Sequence, residues 1–128
     1  MKILLDTCTF LWLTTDAPEL SETARKLFAD AGNDVYLSAA SSWEIAVKYA
    51  AGRLPLPEPP GLFVPARRKT YGIQDLPLEE EAALHVARLP RLHPDPFDRM
   101  LVCQSIIHGL AILSPDPLIA QYPVRVLW

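Results

Sequence analysis

Four acidic residues carry the chemistry that this chain can do. Asp6 follows the short run Lys2 to Leu5, Glu44 closes Ser41-Ser42-Trp43-Glu44, Asp98 closes Asp95-Pro96-Phe97-Asp98, and Asp116 closes Leu113-Ser114-Pro115-Asp116. Each stands where a strand hands over to a helix or where a helix begins, and in a parallel sheet those places share one edge. Residues as distant in sequence as Asp6 and Asp116 can therefore meet. At an effective dielectric of about 20, carboxylates about 6 Å apart repel by about 3 kcal/mol per pair. Such a group either keeps protons at neutral pH or recruits divalent cations. Oxygen ligands with no histidine or thiolate in the set select magnesium or manganese over zinc. A site of that kind suits phosphodiester hydrolysis, in which the metal acidifies the attacking water and neutralises charge on the departing oxygen.

Each acid also has a local role open to it. Ser41 to Glu44 reads as a capping box with Glu44 in the first turn of its helix, and Asp95 reads as an N-cap with Pro96 at the first helical position. Asp116-Pro117 repeats the acid and proline pair, and Asp6 precedes a helix. Asp95 stands between the two readings, as a fifth member of the cluster or as a cap alone.

The elements that must position these acids follow from periodicity. Strands are expected at Lys2 to Leu5, Val35 to Leu37, Ile73 to Leu76, Ala111 to Leu113 and Val124 to Leu127. Between them fall helices: one after Asp6 on the spacing of Phe10, Leu11 and Leu13, and others over 21–31, 41–51, 62–71 and 78–88. Phe97 to His108, apolar on nearly every side, reads as a helix in the centre of the fold, and Pro117 to Gln121 as a short one. The stretches 54–60 and 90–96 are proline-rich connections. Strands alternating with helices predict an α/β, doubly wound, mainly parallel sheet of four to five strands with helices on both faces. With 128 residues and no linker or repeat, one domain over 1–128 is expected.

A formal net charge of −3 excludes nucleic-acid binding through the field of the whole molecule, so any such ligand must be held locally. The basic candidates are Arg67-Arg68-Lys69, Lys48 with Arg53, and Arg88, Arg91 and Arg99, each of which could equally be a solvated surface. Cys8 and Cys103 lack metal-ligand spacing and read as buried thiols. No apolar run approaches the roughly 20 residues of a membrane helix, and the start is charged too early for a signal peptide, so a cytoplasmic protein is expected.

The runs Ile3-Leu4-Leu5-Asp6-Thr7, Leu37 to Ala46, Asp95 to Leu101 and Leu113-Ser114-Pro115-Asp116, in this order, resemble the PIN-domain family in its VapC-like toxin branch, and the resemblance extends to the closing Val124 to Trp128. It implies a magnesium- or manganese-dependent endoribonuclease using one or two ions. It also implies the toxin half of a toxin–antitoxin pair, silenced by a cognate antitoxin, usually homodimeric and leaving 5′-phosphate and 3′-hydroxyl ends. By motif, Asp6, Glu44, Asp98 and Asp116 would be the catalytic metal ligands. Thr7 and Ser114 are candidate hydroxyl partners of those carboxylates, or turn hydroxyls bonded to nearby backbone. Arg99 is a candidate contact to the scissile phosphate, or an ion-pair partner of Asp95. Trp43 either stacks a base or belongs to the core. Cys8 stands where histidine is common in this branch, and a thiol there would make the site sensitive to soft metals.

Rival readings fit less well. An aspartyl-phosphate hydrolase needs an acid where Cys8 stands, and a receiver needs a lone aspartate after its third strand with a lysine after its last. A metal-dependent protein-binding module of the adhesion type needs a hydroxyl spacing that Asp6-Thr7-Cys8-Thr9-Phe10 lacks. An inactive member of the same fold would have lost acids that are all present here.

Overall fold

The computed structural model describes residues 1–128. In chain order the elements are β1 (Lys2–Leu5), α1 (Thr7–Thr15), α2 (Glu22–Ala29), β2 (Asp34–Ser38), α3 (Ala39–Ala50), α4 (Pro60–Tyr71), β3 (Gln74–Leu76), α5 (Glu80–His85), α6 (Pro96–His108), β4 (Ala111–Leu113) and β5 (Val126–Leu127). The five strands form one sheet in the order β3-β2-β1-β4-β5, every pair parallel. The chain builds outward from β1 to β2 and β3, then returns to the other side of β1 with β4. The carboxyl ends of β1 and β4 therefore flank the point at which strand order reverses, where ligands of doubly wound sheets bind.

Side-chain alternation divides the core into two layers. Ile3, Leu5, Val35, Leu37 and Leu113 face a cluster completed by Phe10, Leu13, Leu20, Ala24, Ile45, Phe63 and Val64 from α1 to α4. Leu4 and Ile112 face the opposite cluster, which contains Ala82 from α5 and Leu101, Val102 and Cys103 from α6. Burial on both faces explains why these strands are continuous apolar runs.

Four elements depart from expectation, two of them by length alone: the last strand is Val126–Leu127, and the short helix expected over Pro117 to Gln121 is a 3₁₀ turn at Ile119–Gln121. Helix α3 begins two residues before Ser41, because Ser38 and not Ser41 is the N-cap, accepting the N–H of Ala40 at 3.0 Å. Glu44 therefore lies in the second turn and has no capping duty. The expected helix over 78–88 is shorter, Glu80–His85 followed by a 3₁₀ turn at Val86–Arg88. Of its apolar residues, Ala82 and Val86 are four apart and both meet the second core cluster, whereas Leu84 between them points away and is exposed.

The register aligns the functional edge. Leu5 pairs with Leu37 on one side and Leu113 on the other, so the next residues, Asp6, Ser38 and Ser114, leave the sheet side by side. No helix is long and apolar enough to cross a membrane.

Candidate metal centre

At the end of β1, Asp6 is buried and divides its two oxygens between tasks. Oδ1 caps α1, accepting the N–H of Thr9 at 2.8 Å and the thiol of Cys8 at 3.3 Å. Oδ2 accepts the hydroxyl of Ser114 from the neighbouring strand end. Ser114 Oγ also accepts the N–H of Asp116 at 3.1 Å, which shapes the turn carrying that acid. From α3, buried Glu44 receives the hydroxyl of Thr7 at 2.6 Å through Oε1, while Lys48, one turn further along, pairs with Oε2. Ser41 Oγ lies 3.0 Å from Thr7 Oγ1 and completes that network.

Asp98 and Asp116 meet across a residue absent from the expected acid set. His93 is buried in the connection before α6, with Nε2 2.7 Å from Asp116 Oδ2 and 3.2 Å from Asp98 Oδ2. Ligand-type atoms of these three residues lie within 4.8 Å of one another, which makes them the tightest group. Asp6 and Glu44 stand beside it, each on its own hydroxyl partner. His93 thus accompanies the acids, although it is not among the residues that the sequence singles out. His93 sits among prolines where periodicity is silent, and its one legible signal was position, five residues before Asp98 and two before an N-cap.

Burial and the crowding of charge act together on Asp98. Asp98 is pushed up from 3.8 to about 7, by burial first and then by the negative charge of Asp95, with Glu44 and Asp6 adding smaller contributions against the opposing pull of His93. Asp6 and Glu44 are thus close enough to be felt at Asp98. Glu44 has Lys48, whose own pKa is raised chiefly by their hydrogen bond. Asp6, Asp98 and Asp116 have no lysine or arginine within ion-pair distance. An under-compensated patch of carboxylate oxygen is the donor chemistry that hard divalent cations require, so these residues fit such an ion.

The remaining candidates fall as follows. Asp95 is the N-cap of α6, its Oδ1 accepting the N–H groups of Phe97 at 2.8 Å and Asp98 at 3.3 Å. Arg99 makes no ion pair with Asp95. Its guanidinium donates to the carbonyls of Pro90 (2.9 Å), Val86 and Leu89 (both 3.4 Å) and to the Tyr122 hydroxyl (3.3 Å), which leaves it fastening the chain before α6. Trp43 is 59% exposed, so it is not core, and its ring meets Phe97 edge-on at 4.8 Å. Cys8 is only half-buried, unlike Cys103. Burial and the adjacent Asp6 charge push its thiol pKa up, so it serves Asp6 as a hydrogen-bond donor and not as a thiolate ligand. An open cavity of about 490 Å³, lined by Arg91, Leu92, His93, Pro94 and Arg99, adjoins the histidine.

A five-stranded parallel sheet with acids gathered at its switch point defines a class, and the sequence agrees: the PIN domain family model matches residues 3–124, and the chain belongs to that family. Among individual proteins, it is similar to Ribonuclease VapC16 of Mycobacterium tuberculosis, with 41% identity over 69 residues that cover 54% of this chain and 48% of that protein. The match thus spans about half the length of that relative. The fold is shared with VapBC2 from Rickettsia felis, solved bound to a DNA fragment from its promoter, at TM-score 0.71 and 12% identity over 99% of this chain and 98% of that one. It is shared equally with DNA-bound VapBC from Salmonella typhimurium, at TM-score 0.68 and 20% identity over 99% and 97% of the two chains.

Proposed function

We propose that this protein is a magnesium- or manganese-dependent endoribonuclease, the toxin of a toxin–antitoxin pair, acting in the cytoplasm. The observation that supports this reading is the meeting of His93, Asp98 and Asp116 within ligand distance, with Asp6 bonded to Ser114 of the turn that carries Asp116 and Glu44 bonded to Thr7, the residue after Asp6. The relative named as a ribonuclease supports the reaction class, and the neighbours solved as VapBC complexes support an antitoxin partner. A homodimer is part of the same reading.

In this proposal Asp6, Glu44, Asp98 and Asp116 hold the cation, one ion or two. A cation bound there supplies Lewis-acid stabilisation of the phosphodiester and acidifies water for hydrolysis. The protein's own residues do the positioning. Ser114 and Thr7 restrict the rotation of Asp6 and Glu44, so the carboxylates are oriented before any ligand arrives. Lys48 offsets the charge of Glu44 and lowers the repulsion that an incoming RNA strand meets. Arg91, exposed at the cavity beside His93, offers the phosphate backbone a cation that Arg99, committed to carbonyls, does not. Trp43 offers an exposed aromatic face to an unstacked base beside the cleavage site.

The test is incubation of purified protein with total cellular RNA, with and without magnesium or manganese, followed by mapping of the cut ends. Cleavage should require the metal, leave 5′-phosphates, and vanish in Asp6→Asn and Asp98→Asn variants that remain folded. Undiminished cleavage by pure Asp98→Asn would remove that residue from the ligand set. No cleavage of any RNA, together with chelator-sensitive capture of a protein partner, would replace the enzyme by a binding module.

A further inference from the structure

His93 has the position of a third ligand, yet its two ring nitrogens face partners of opposite kinds. Nδ1 lies 3.0 Å from the backbone N–H of Asp95, a group that can only donate. Nε2 lies 2.7 Å from Asp116 Oδ2 and 3.2 Å from Asp98 Oδ2, oxygens that can accept a hydrogen bond. A ring nitrogen that accepts a hydrogen bond carries no proton, so the ring's proton sits on Nε2. Ligation of a cation through Nε2 would require that proton to move to Nδ1, where it would confront the Asp95 N–H.

The ring is not free to turn away from this choice. His93 N–H donates to the Tyr122 hydroxyl at 2.8 Å, Leu92 N–H donates to the same oxygen at 3.1 Å, and that hydroxyl donates to Pro90 carbonyl at 2.8 Å. Arg99 holds the other side of the loop through the carbonyls of Val86, Leu89 and Pro90. The loop backbone is thus pinned up to His93 itself, and after it Asp95, which orients the ring through its N–H, is fixed as the cap of α6.

We propose that His93 is a positioning residue whose Nε2–H bridges Asp98 and Asp116, sets which of their oxygens face the cation, and itself stays out of the coordination sphere. The inference rests on the proposed function for the identity of the cation, but the protonation pattern of the ring does not. Its consequence is selectivity. A histidine ligand would favour zinc and other borderline metals, whereas a protonated Nε2 keeps the donor set all oxygen and suited to magnesium or manganese. Asp98 Oδ1 is left without a protein donor and available to the ion.

The experiment has two readouts. In ¹⁵N-labelled, chelator-treated protein, long-range ¹H–¹⁵N correlation of the imidazole should show a protonated Nε2 and an unprotonated Nδ1, and the pattern should persist when Mg²⁺ is added. A proton on Nδ1, averaging of the two nitrogens, or loss of the Nε2 proton on adding Mg²⁺ would overturn the proposal. Calorimetry with Mn²⁺ alone then compares two variants. His93→Gln keeps a donor near the Nε2 position and should bind Mn²⁺ nearly as the native protein does, whereas His93→Ala should lose about 10-fold or more. Equal loss in both variants would mean that the imidazole itself ligates, and unchanged affinity in a folded His93→Ala protein would end the bridging role. Failure of the native protein to bind Mn²⁺ would count against the proposed function, while the ring assignment is decided in the metal-free sample.

Discussion

At the scale of single residues, Asp98 links the cluster's function to its cost. Its pKa is raised from 3.8 to about 7, with burial and the charge of Asp95 as the main causes. The folded protein therefore retains a proton that the unfolded chain releases near the lower value. Stability from this group is fully present below the unfolded pKa, declines as pH rises through the interval up to the folded one, and is level above it. In chelator, urea denaturation at about pH 5 and about pH 8 should show this decline in the native protein and a smaller one in Asp98→Asn, which should gain on the order of 2 kcal/mol at the higher pH. An unchanged slope in the variant would mean that Asp98 is not the group responsible. Three of the acids were legible in the sequence because they sit at boundaries that local signals mark: Asp6 caps α1, Asp95 caps α6, and Asp116 Oδ1 accepts the N–H of Leu118 at 2.9 Å. Capping leaves Asp6 and Asp116 a second oxygen for another element, which meets Ser114 and His93 respectively. His93 was not legible, since its role depends on the loop being pinned by Tyr122, 29 residues further on.

At the scale of elements, α6 presents Asp98 in its first turn, with Pro96 fixing the backbone and Asp95 closing the end. Asp95 acts in two separable ways, by accepting N–H groups and by carrying charge. Asp95→Asn keeps an oxygen at the cap, so stability should change little while the pKa of Asp98 falls, which a carboxyl carbon NMR titration would follow. Asp95→Ala removes the cap as well and should cost about 1 kcal/mol in denaturant unfolding. Equal Asp98 titration in the native and Asn proteins would show that burial alone raises it. The strands were legible because burial on both faces leaves runs such as Ile3 to Leu5 with no polar interruption. The start of α3 was not: Ser38 and Ser41 are both capping types, and Ser41 to Glu44 imitates a capping box. What decides between them is tertiary, since Ser38 ends β2 and its hydroxyl also donates to buried Gln104 of α6, whose amide reaches the Pro77 carbonyl at 3.1 Å. That earlier start carries Glu44 past the capping turn, toward Thr7 and Lys48.

At the scale of the whole molecule, the cluster joins parts of the chain that the sheet alone holds only through short strands of three to five residues around β1. Without a cation, Asp6, Asp98 and Asp116 repel across that junction. In the proposed metal-bound state the same residues would cross-link the ends of β1 and β4 to the start of α6. Thermal denaturation should therefore separate the two contributions by sign. In the native protein, Mg²⁺ or Mn²⁺ at a hundredfold excess over Kd should add about 2.7 kcal/mol, raising Tm by roughly 8–12 °C, and chelator should reverse it. Asp98→Asn should start from a higher Tm than the chelated native protein, because a buried charge is gone, yet gain little from metal. A variant that began lower and still responded fully to the cation would show that Asp98 is held for packing and capping geometry, and that the ion is bound elsewhere on the sheet edge.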